Sequence, residues 1–166
     1  ISEMILVQEA IHERQIGDIA GMIAADPSKR IIMIAGPSSS GKTSSTQRIS
    51  IQLAVNGIRP IPISMDDYYV NRVDTPRKPN GDYDFETVDA IDLELFNAHL
   101  KRLLNGERVK VPKYNFQTGL REYRGNELQL TENSVLLVEG IHGLNDKLTV
   151  ALIGAGCGVL VNFILN

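Results

Sequence analysis

The chain has 166 residues, is 43% hydrophobic and carries a formal net charge of −3, enough apolar material for one domain with a sizeable core. Acids and bases are interspersed, so neither a nucleic-acid footprint nor a polybasic membrane patch is expected. The single cysteine, Cys157, excludes an internal disulfide, no Cys/His cluster suggests zinc, and the first apolar residues are mixed with Glu3, Gln8, Glu9 and Glu13, unlike a signal peptide. A reduced, cytoplasmic setting is the expectation, and a start at Ile1 rather than methionine reads as a piece of something longer.

Residues 1–27 read as a helical lead and 28–166 as the main domain. Met4, Val7 and Ile11, then Ile16, Ile19 and Ile23, fall at helical spacing, which predicts two helices broken near Gln15. His12, beside this stripe, reads as structural. Asp26-Pro27-Ser28 ends the segment. Ile31 to Ala35 is an unbroken apolar run, the pattern of a strand buried on both faces of a parallel sheet. Thr43 to Val55 reads as a helix stopped by Asn56-Gly57, and Ile61 to Met65 as a second strand, completing a βαβ unit. Asp66 to Val88 shows no sustained period and reads as a long functional loop. Leu93 to Leu104 forms a third helix, closed by Asn105-Gly106. Short strands are predicted at Val109 to Tyr114 and Tyr123 to Leu130, and an apolar one at Ser134 to Val138, ending at Glu139-Gly140.

Between the first strand and the helix stands Gly36-Pro37-Ser38-Ser39-Ser40-Gly41-Lys42-Thr43, followed by Ser44. It fits G-x-x-x-x-G-K-[ST] in the context that gives the motif meaning. The glycines let successive N–H groups turn inward at the positive end of a helix, making an anion nest. Lys42 supplies a point charge for the β- and γ-phosphates of ATP, and the Thr43 hydroxyl suits Mg²⁺, a hard cation that prefers oxygen. Asp66 follows the second strand and Glu139 ends the later one, at the strand ends where ligands gather in open parallel sheets. One acid can hold Mg²⁺ while the other accepts a proton from an attacking hydroxyl. No N-K-x-D motif for reading guanine is present; Asn145-Asp146-Lys147 has the letters in the wrong order.

Five ordered blocks, GPSSSGKT, SMDDYY, YDFETVDAIDLELF, VPKYNFQTGLREY and VLLVEGIHGLN, resemble the uridine kinase branch of the phosphoribulokinase/uridine kinase family. The N-terminal helices resemble the linker in longer uridine-kinase-like proteins with a threonyl-tRNA-synthetase-like region upstream. The resemblance implies an α/β fold of the P-loop-containing nucleoside triphosphate hydrolase type, a mainly parallel sheet flanked by helices. It implies phosphorylation, with ATP and Mg²⁺, of the 5′-hydroxyl of a pyrimidine ribonucleoside, as in pyrimidine salvage. Asp66 matches the catalytic base, and Tyr68 an aromatic position just after it. Glu86 falls where uridine kinases commonly place an aspartate that binds the ribose hydroxyls. Tyr114 and Phe116 match aromatics of the nucleoside pocket, where flat rings suit a base. Arg121 matches an arginine closing that block, or is a surface arginine on a hairpin.

Two departures stand out. Gly119 occupies the place of a base-contacting histidine, which predicts poor discrimination among bases, while loss of the ribose 2′-hydroxyl should cost more. The family's arginine-rich lid has no counterpart after Leu144, where Leu148 to Leu165 is uncharged. A disordered lid missing between Thr149 and the tail accounts for this better than an enzyme without one. In the tail, GAGCG departs from a dinucleotide fingerprint, and GVLVNFIL reads as a buried strand of the same sheet rather than a membrane span. The expected function is a nucleoside kinase. The alternatives are a P-loop kinase for another small metabolite and an ATP-binding regulatory module without turnover. A homo-oligomer is compatible with the sequence, which does not fix the oligomeric state.

Overall fold

The computed structural model describes residues 1–35, 42–140 and 162–164, apart from the side chains of Lys42, Thr43 and residues 162–164. In chain order the elements are α1 (Ser2–Ala25), β1 (Ile31–Ala35), α2 (Lys42–Val55), β2 (Arg59–Ser64), α3 (Leu93–Leu104), β3 (Val109–Lys110), β4 (Lys113–Asn115), β5 (Leu120–Glu122), β6 (Glu127–Leu128), β7 (Ser134–Gly140) and β8 (Asn162–Ile164). Short 3₁₀ turns at Met65–Tyr68, Arg72–Asp74 and Val88–Ala90 punctuate the long polar segment.

The main sheet runs β2-β7-β1-β8 with every neighbouring pair parallel. Strand β7 thus lies between the two strands of the predicted βαβ unit. Side chains of β1 alternate between two cores. Ile32 and Ile34 pack with Ile16, Ala20 and Ile23 of α1, Ile49 and Leu53 of α2, and Val135 and Leu137 of β7. Ile31 and Met33 pack on the other side with Ile61 and Ile63 of β2, Phe96, Leu100 and Leu103 of α3, and Leu136 and Val138 of β7. Helices therefore cover both faces, which is why the inner strands read as continuous apolar runs rather than alternating ones. The tail's β8 pairs with β1 through Asn162–Ile164, in the sheet where the sequence placed it.

Helix α1 is one element where two were predicted. Gln15 is a good helix former, so the backbone ladder continues through the shift in apolar phase. The shift shows in burial instead: Ile16 and Ile23 are buried, whereas Met4, Val7 and Ile11 are exposed. Gln52 donates to Glu13 at 2.9 Å, and His12 Nδ1 lies 3.5 Å from Arg48, so His12 sits between the two helices.

Helix α3 starts where Asp92 accepts the N–H of Leu95 at 3.0 Å, a side-chain N-cap, and stops at Gly106, whose φ of 79° is open to glycine at little cost. The two strands predicted after it are four shorter ones, β3 pairing with β6 and β4 with β5. Pro112, which has no N–H to donate, separates β3 from β4. Gly125, at φ 80°, separates β5 from β6. The hairpin predicted around Thr118-Gly119 is present between β4 and β5.

Candidate active site at the carboxyl edge of the sheet

Parallel pairing fixes which residues meet at one edge. Ser64 is in register with Glu139, and Ala35 with Gly140. Strand β1 ends at Ala35, so the glycine-rich motif leaves the sheet at this edge, and α2 begins at Lys42. Gly36, Pro37, Ser38, Ser39, Ser40 and Gly41 lie outside the described residues, as do the side chains of Lys42 and Thr43; Ser44 is exposed on α2. The predicted lid region, 141–161, also lies outside them.

Asp66 sits in the 3₁₀ turn that follows β2, where Ser64 Oγ accepts its N–H at 3.3 Å. Glu139, one residue from the end of β7, accepts from Thr46 Oγ1 at 3.3 Å. Thr46 is buried on α2, three residues after Thr43 in the sequence. The two acids singled out in the sequence are thus brought to the edge from which the phosphate motif departs. Gly140 is needed beside them: a Cβ there would stand 2.8 Å from Met65 Sδ, in the turn that carries Asp66.

Next to Asp66 is an aromatic group. Tyr69 has ring centroids 5.2 Å from Phe85, 5.4 Å from Tyr114 and 6.2 Å from Phe116, and Tyr114 lies 4.9 Å from Phe116, all near perpendicular. Phe116 is 58% exposed, while Tyr114 is buried and its hydroxyl has no hydrogen-bond partner among the described residues. Burial, with the Asp66 charge and a hydrogen bond to Asp66, pushes the Tyr69 hydroxyl far above its ordinary pKa. Its oxygen also lies 3.2 Å from the Phe85 carbonyl, and its single proton can serve only one of these acceptors at a time.

Tyr68, predicted beside the acceptor, is instead a core residue. It is fully buried, its hydroxyl is 2.9 Å from His99 Nδ1, and its ring packs edge-on against Phe96 at 4.9 Å. Tyr69 holds the position facing Asp66. The doublet Tyr68-Tyr69 is visible in the sequence, but which ring faces the site depends on the 3₁₀ turn.

Asp67 serves the scaffold. Its Oδ1 accepts the N–H of Tyr114 at 3.3 Å and lies 3.2 Å from Lys113 Nζ, fastening β4 to the end of β2. Arg121 also braces this region: it pairs with Asp92 at 2.9 Å, and its N–H donates to Asn71 Oδ1 at 3.1 Å. Glu86 is exposed, with Lys78 Nζ at 3.4 Å.

Among the described residues no group of three or more His, Cys, Asp or Glu side chains could hold a metal. Mg²⁺ usually keeps several waters and takes one or two carboxylates plus phosphate oxygens. Asp66, Glu139 and the Thr43 hydroxyl are an all-oxygen donor set of the matching hardness. A cavity of about 490 Å³, lined by Ser64, Asp67, Tyr68, Lys113 and Glu127 among others, adjoins the same turn, but Asp66, Glu139, Tyr69, Tyr114 and Phe116 do not line it. Among the described residues no helix is long and apolar enough to cross a membrane.

The sequence model of the Phosphoribulokinase / Uridine kinase family matches residues 31–161. The chain belongs to this family. It is 38% identical over 120 residues to a uridine kinase of Schizosaccharomyces pombe, an alignment covering 71% of this chain and 26% of that protein. It is 35% identical over 111 residues to a uridine kinase of Chloroflexus aurantiacus, covering 67% and 51%. The chain therefore spans about a quarter and about half of these two relatives. A solved structure described as a possible uridine kinase from Bacillus stearothermophilus superimposes with a TM-score of 0.68 at 22% identity, over 90% of this chain and 79% of that one. This likeness shows the P-loop kinase fold.

Proposed function

We propose that the chain is a cytoplasmic kinase that uses ATP and Mg²⁺ to phosphorylate the 5′-hydroxyl of a ribonucleoside, uridine or cytidine first. The observation that carries this reading is the placement of Asp66. It stands at the edge where the phosphate motif leaves β1 and Glu139 ends β7, with the Tyr69–Tyr114–Phe116 aromatic group beside it. Phosphate chemistry and a flat-ring surface therefore meet at one carboxylate. The names of the relatives in Schizosaccharomyces pombe and Chloroflexus aurantiacus support the same acceptor class.

Phosphoryl transfer asks the protein mainly for positioning and charge stabilisation. Lys42 and the backbone N–H groups of the loop around Ser38 to Gly41 would hold the β- and γ-phosphates. Thr43, Asp66 and Glu139 would hold Mg²⁺, which when bound would offset the negative charge of the phosphates. Asp66 takes the proton from the 5′-hydroxyl as that oxygen bonds to the γ-phosphorus and the bond to the β–γ bridging oxygen breaks, leaving ADP. The proton then departs with the product side. Tyr69 lies beside Asp66, where its hydroxyl can donate either to that carboxylate or to the Phe85 carbonyl.

The test is ATP-dependent phosphorylation of a nucleoside panel by the whole chain, beside Lys42→Ala. Turnover of uridine or cytidine in the wild type, lost in the variant while its thermal unfolding is unchanged, is the expected outcome. Wild-type turnover in Lys42→Ala would refute the phosphate-loop role.

A further inference from the structure

Gly119 carries no side chain, and the volume one would take is filled by Arg72. A Cβ placed on Gly119 would fall 2.7 Å from Arg72 Cβ, 2.8 Å from Nε and 2.9 Å from Cζ, closer than real contacts of that kind. The glycine also has φ +70°, where an L side chain is strained. Arg72 is held at both ends: its N–H donates to the Gly119 carbonyl at 2.8 Å, and Nη2 donates to the Phe116 carbonyl. Asn71, its neighbour, accepts the Arg121 N–H, so the loop is sewn to the far strand of the same hairpin.

Among the described residues no carboxylate pairs with the Arg72 guanidinium, and the Phe116 carbonyl uses only part of a five-donor group. The hairpin it covers presents Tyr114 and Phe116 to Tyr69. A fixed, half-buried arginine with donors to spare, on the rim of an aromatic surface, has the chemistry to read an oxygen.

We propose that Arg72 is the specificity-determining residue of the acceptor pocket, donating to the keto oxygen at C4 of a pyrimidine and so favouring uridine over cytidine. The inference rests on the nucleoside reading of the same site. A guanidinium has donors and no acceptor, whereas cytosine offers an amino group at that position. Donor would then face donor, leaving both groups unpaired. Glycine at 119 is part of the device, because any side chain there would displace Arg72. Under this proposal the side chain missing at 119 is made good by an arginine from residue 72, so uridine and cytidine should be told apart where the sequence alone predicts poor discrimination.

Uridine and cytidine are compared as acceptors for wild type, Arg72→Met and Arg72→Lys, with competition binding in the presence of a non-hydrolysable ATP analogue and Mg²⁺. The expected result is a wild-type preference for uridine of about ten- to hundredfold in kcat/KM, the worth of a hydrogen bond to a charged donor. Arg72→Met should bring the ratio near unity, chiefly through the uridine KM, with kcat changed about threefold or less. Arg72→Lys keeps a packed stem and one cation but loses the fork, and should give an intermediate ratio; it serves alone if the methionine variant does not fold. A purely structural role would weaken both nucleosides together. An unchanged ratio in the variants, or a wild type that binds both equally, overturns the proposal while leaving the kinase reading intact. A wild type that binds no nucleoside removes the nucleoside reading and this inference with it.

Discussion

Asp67 and Tyr114 are joined across 47 residues of sequence, the carboxylate oxygen accepting the backbone N–H at 3.3 Å. The bond hangs the β4–β5 hairpin from the end of β2, so two adjacent aspartates have separate tasks. If Asp66 is the base proposed above, Asp66→Asn should lower turnover by about 10²–10⁴ while ATP still binds. Asp67→Asn keeps an oxygen for Tyr114 and loses only the partly exposed Lys113 pair, a cost of about 1 kcal/mol or less. Asp67→Ala loses both contacts, and its melting temperature should fall further. Steady-state rates and thermal unfolding of the three variants check the assignment; equal rate losses in Asp66→Asn and Asp67→Asn would reverse it.

The Thr46–Glu139 bond links the helix after the phosphate motif to the end of β7. Glu139→Gln keeps the length and an amide oxygen for Thr46 but removes the charge. The variant should need about tenfold more Mg²⁺ for half-maximal rate, with a change in unfolding free energy of about 1 kcal/mol or less. Titrating the rate with Mg²⁺ decides it. An unchanged requirement would remove Glu139 from the metal site.

What could be read from sequence followed from how local each determinant was. The run Ile31–Ala35 carried its own strand signal because both faces are covered, and the phosphate motif followed from the strand and helix flanking it. The strand order could not be read that way: that β7 lies between β1 and β2 is set by residues about a hundred apart, through the packing of two cores. The phase shift in α1 was visible, but its meaning, a change from exposed to buried, depends on where α2 ends. That Tyr69 lies by Asp66 while Tyr68 is buried could not be read, because a 3₁₀ turn, not strand alternation, sets their directions. That Arg72 packs against Gly119 could not be read, since it comes from a loop with no periodicity of its own.

Arg121 and Asp92 test scaffold against site. Asp92 caps α3 through one oxygen and pairs with Arg121 through the other, at 2.9 Å, with both side chains mostly buried. Asp92→Asn keeps the cap and weakens the pair, while Asp92→Ala loses both and should be less stable by about another 1 kcal/mol. A double-mutant cycle of Asp92→Asn with Arg121→Gln, read by chemical denaturation, should return a coupling of about 1–3 kcal/mol. Coupling near zero would free Arg121 for the substrate contact implied by its family position.

His99 gives the fold a pH dependence. Burial, aided by Arg102 and Arg121, holds its pKa below the ordinary 6.5, and its Nδ1 shares a 2.9 Å hydrogen bond with the Tyr68 hydroxyl. A depressed folded pKa means that the unfolded chain binds the proton more tightly. The contribution to stability is therefore full above about pH 6.5 and is lost as pH falls through the folded value. Denaturation midpoints measured from pH 7.5 down to 5 should fall, and His99→Gln should flatten that part of the curve. A wild-type midpoint that rises over this range would show the opposite sign of shift.

Glu86 bears on recognition of the sugar. Its N–H is held by Asp84 Oδ1 at 3.1 Å, its carboxylate is 80% exposed, and Lys78 is its partner at 3.4 Å. A contact to the ribose hydroxyls would have to compete with that lysine and with water, which places its value near the low end for a charged hydrogen bond. Removing the 2′-hydroxyl should then cost about 1 kcal/mol, or roughly fivefold in affinity. In Glu86→Ala, uridine should bind about fivefold more weakly and 2′-deoxyuridine nearly as in the wild type, because the lost partner is the same in both experiments. Calorimetric titration of both nucleosides into both proteins, with an ATP analogue and Mg²⁺ present, completes the cycle. If Glu86→Ala still distinguishes the two sugars fivefold, the 2′-hydroxyl is read by another group, and Glu86 serves only to fix Lys78 on the rim.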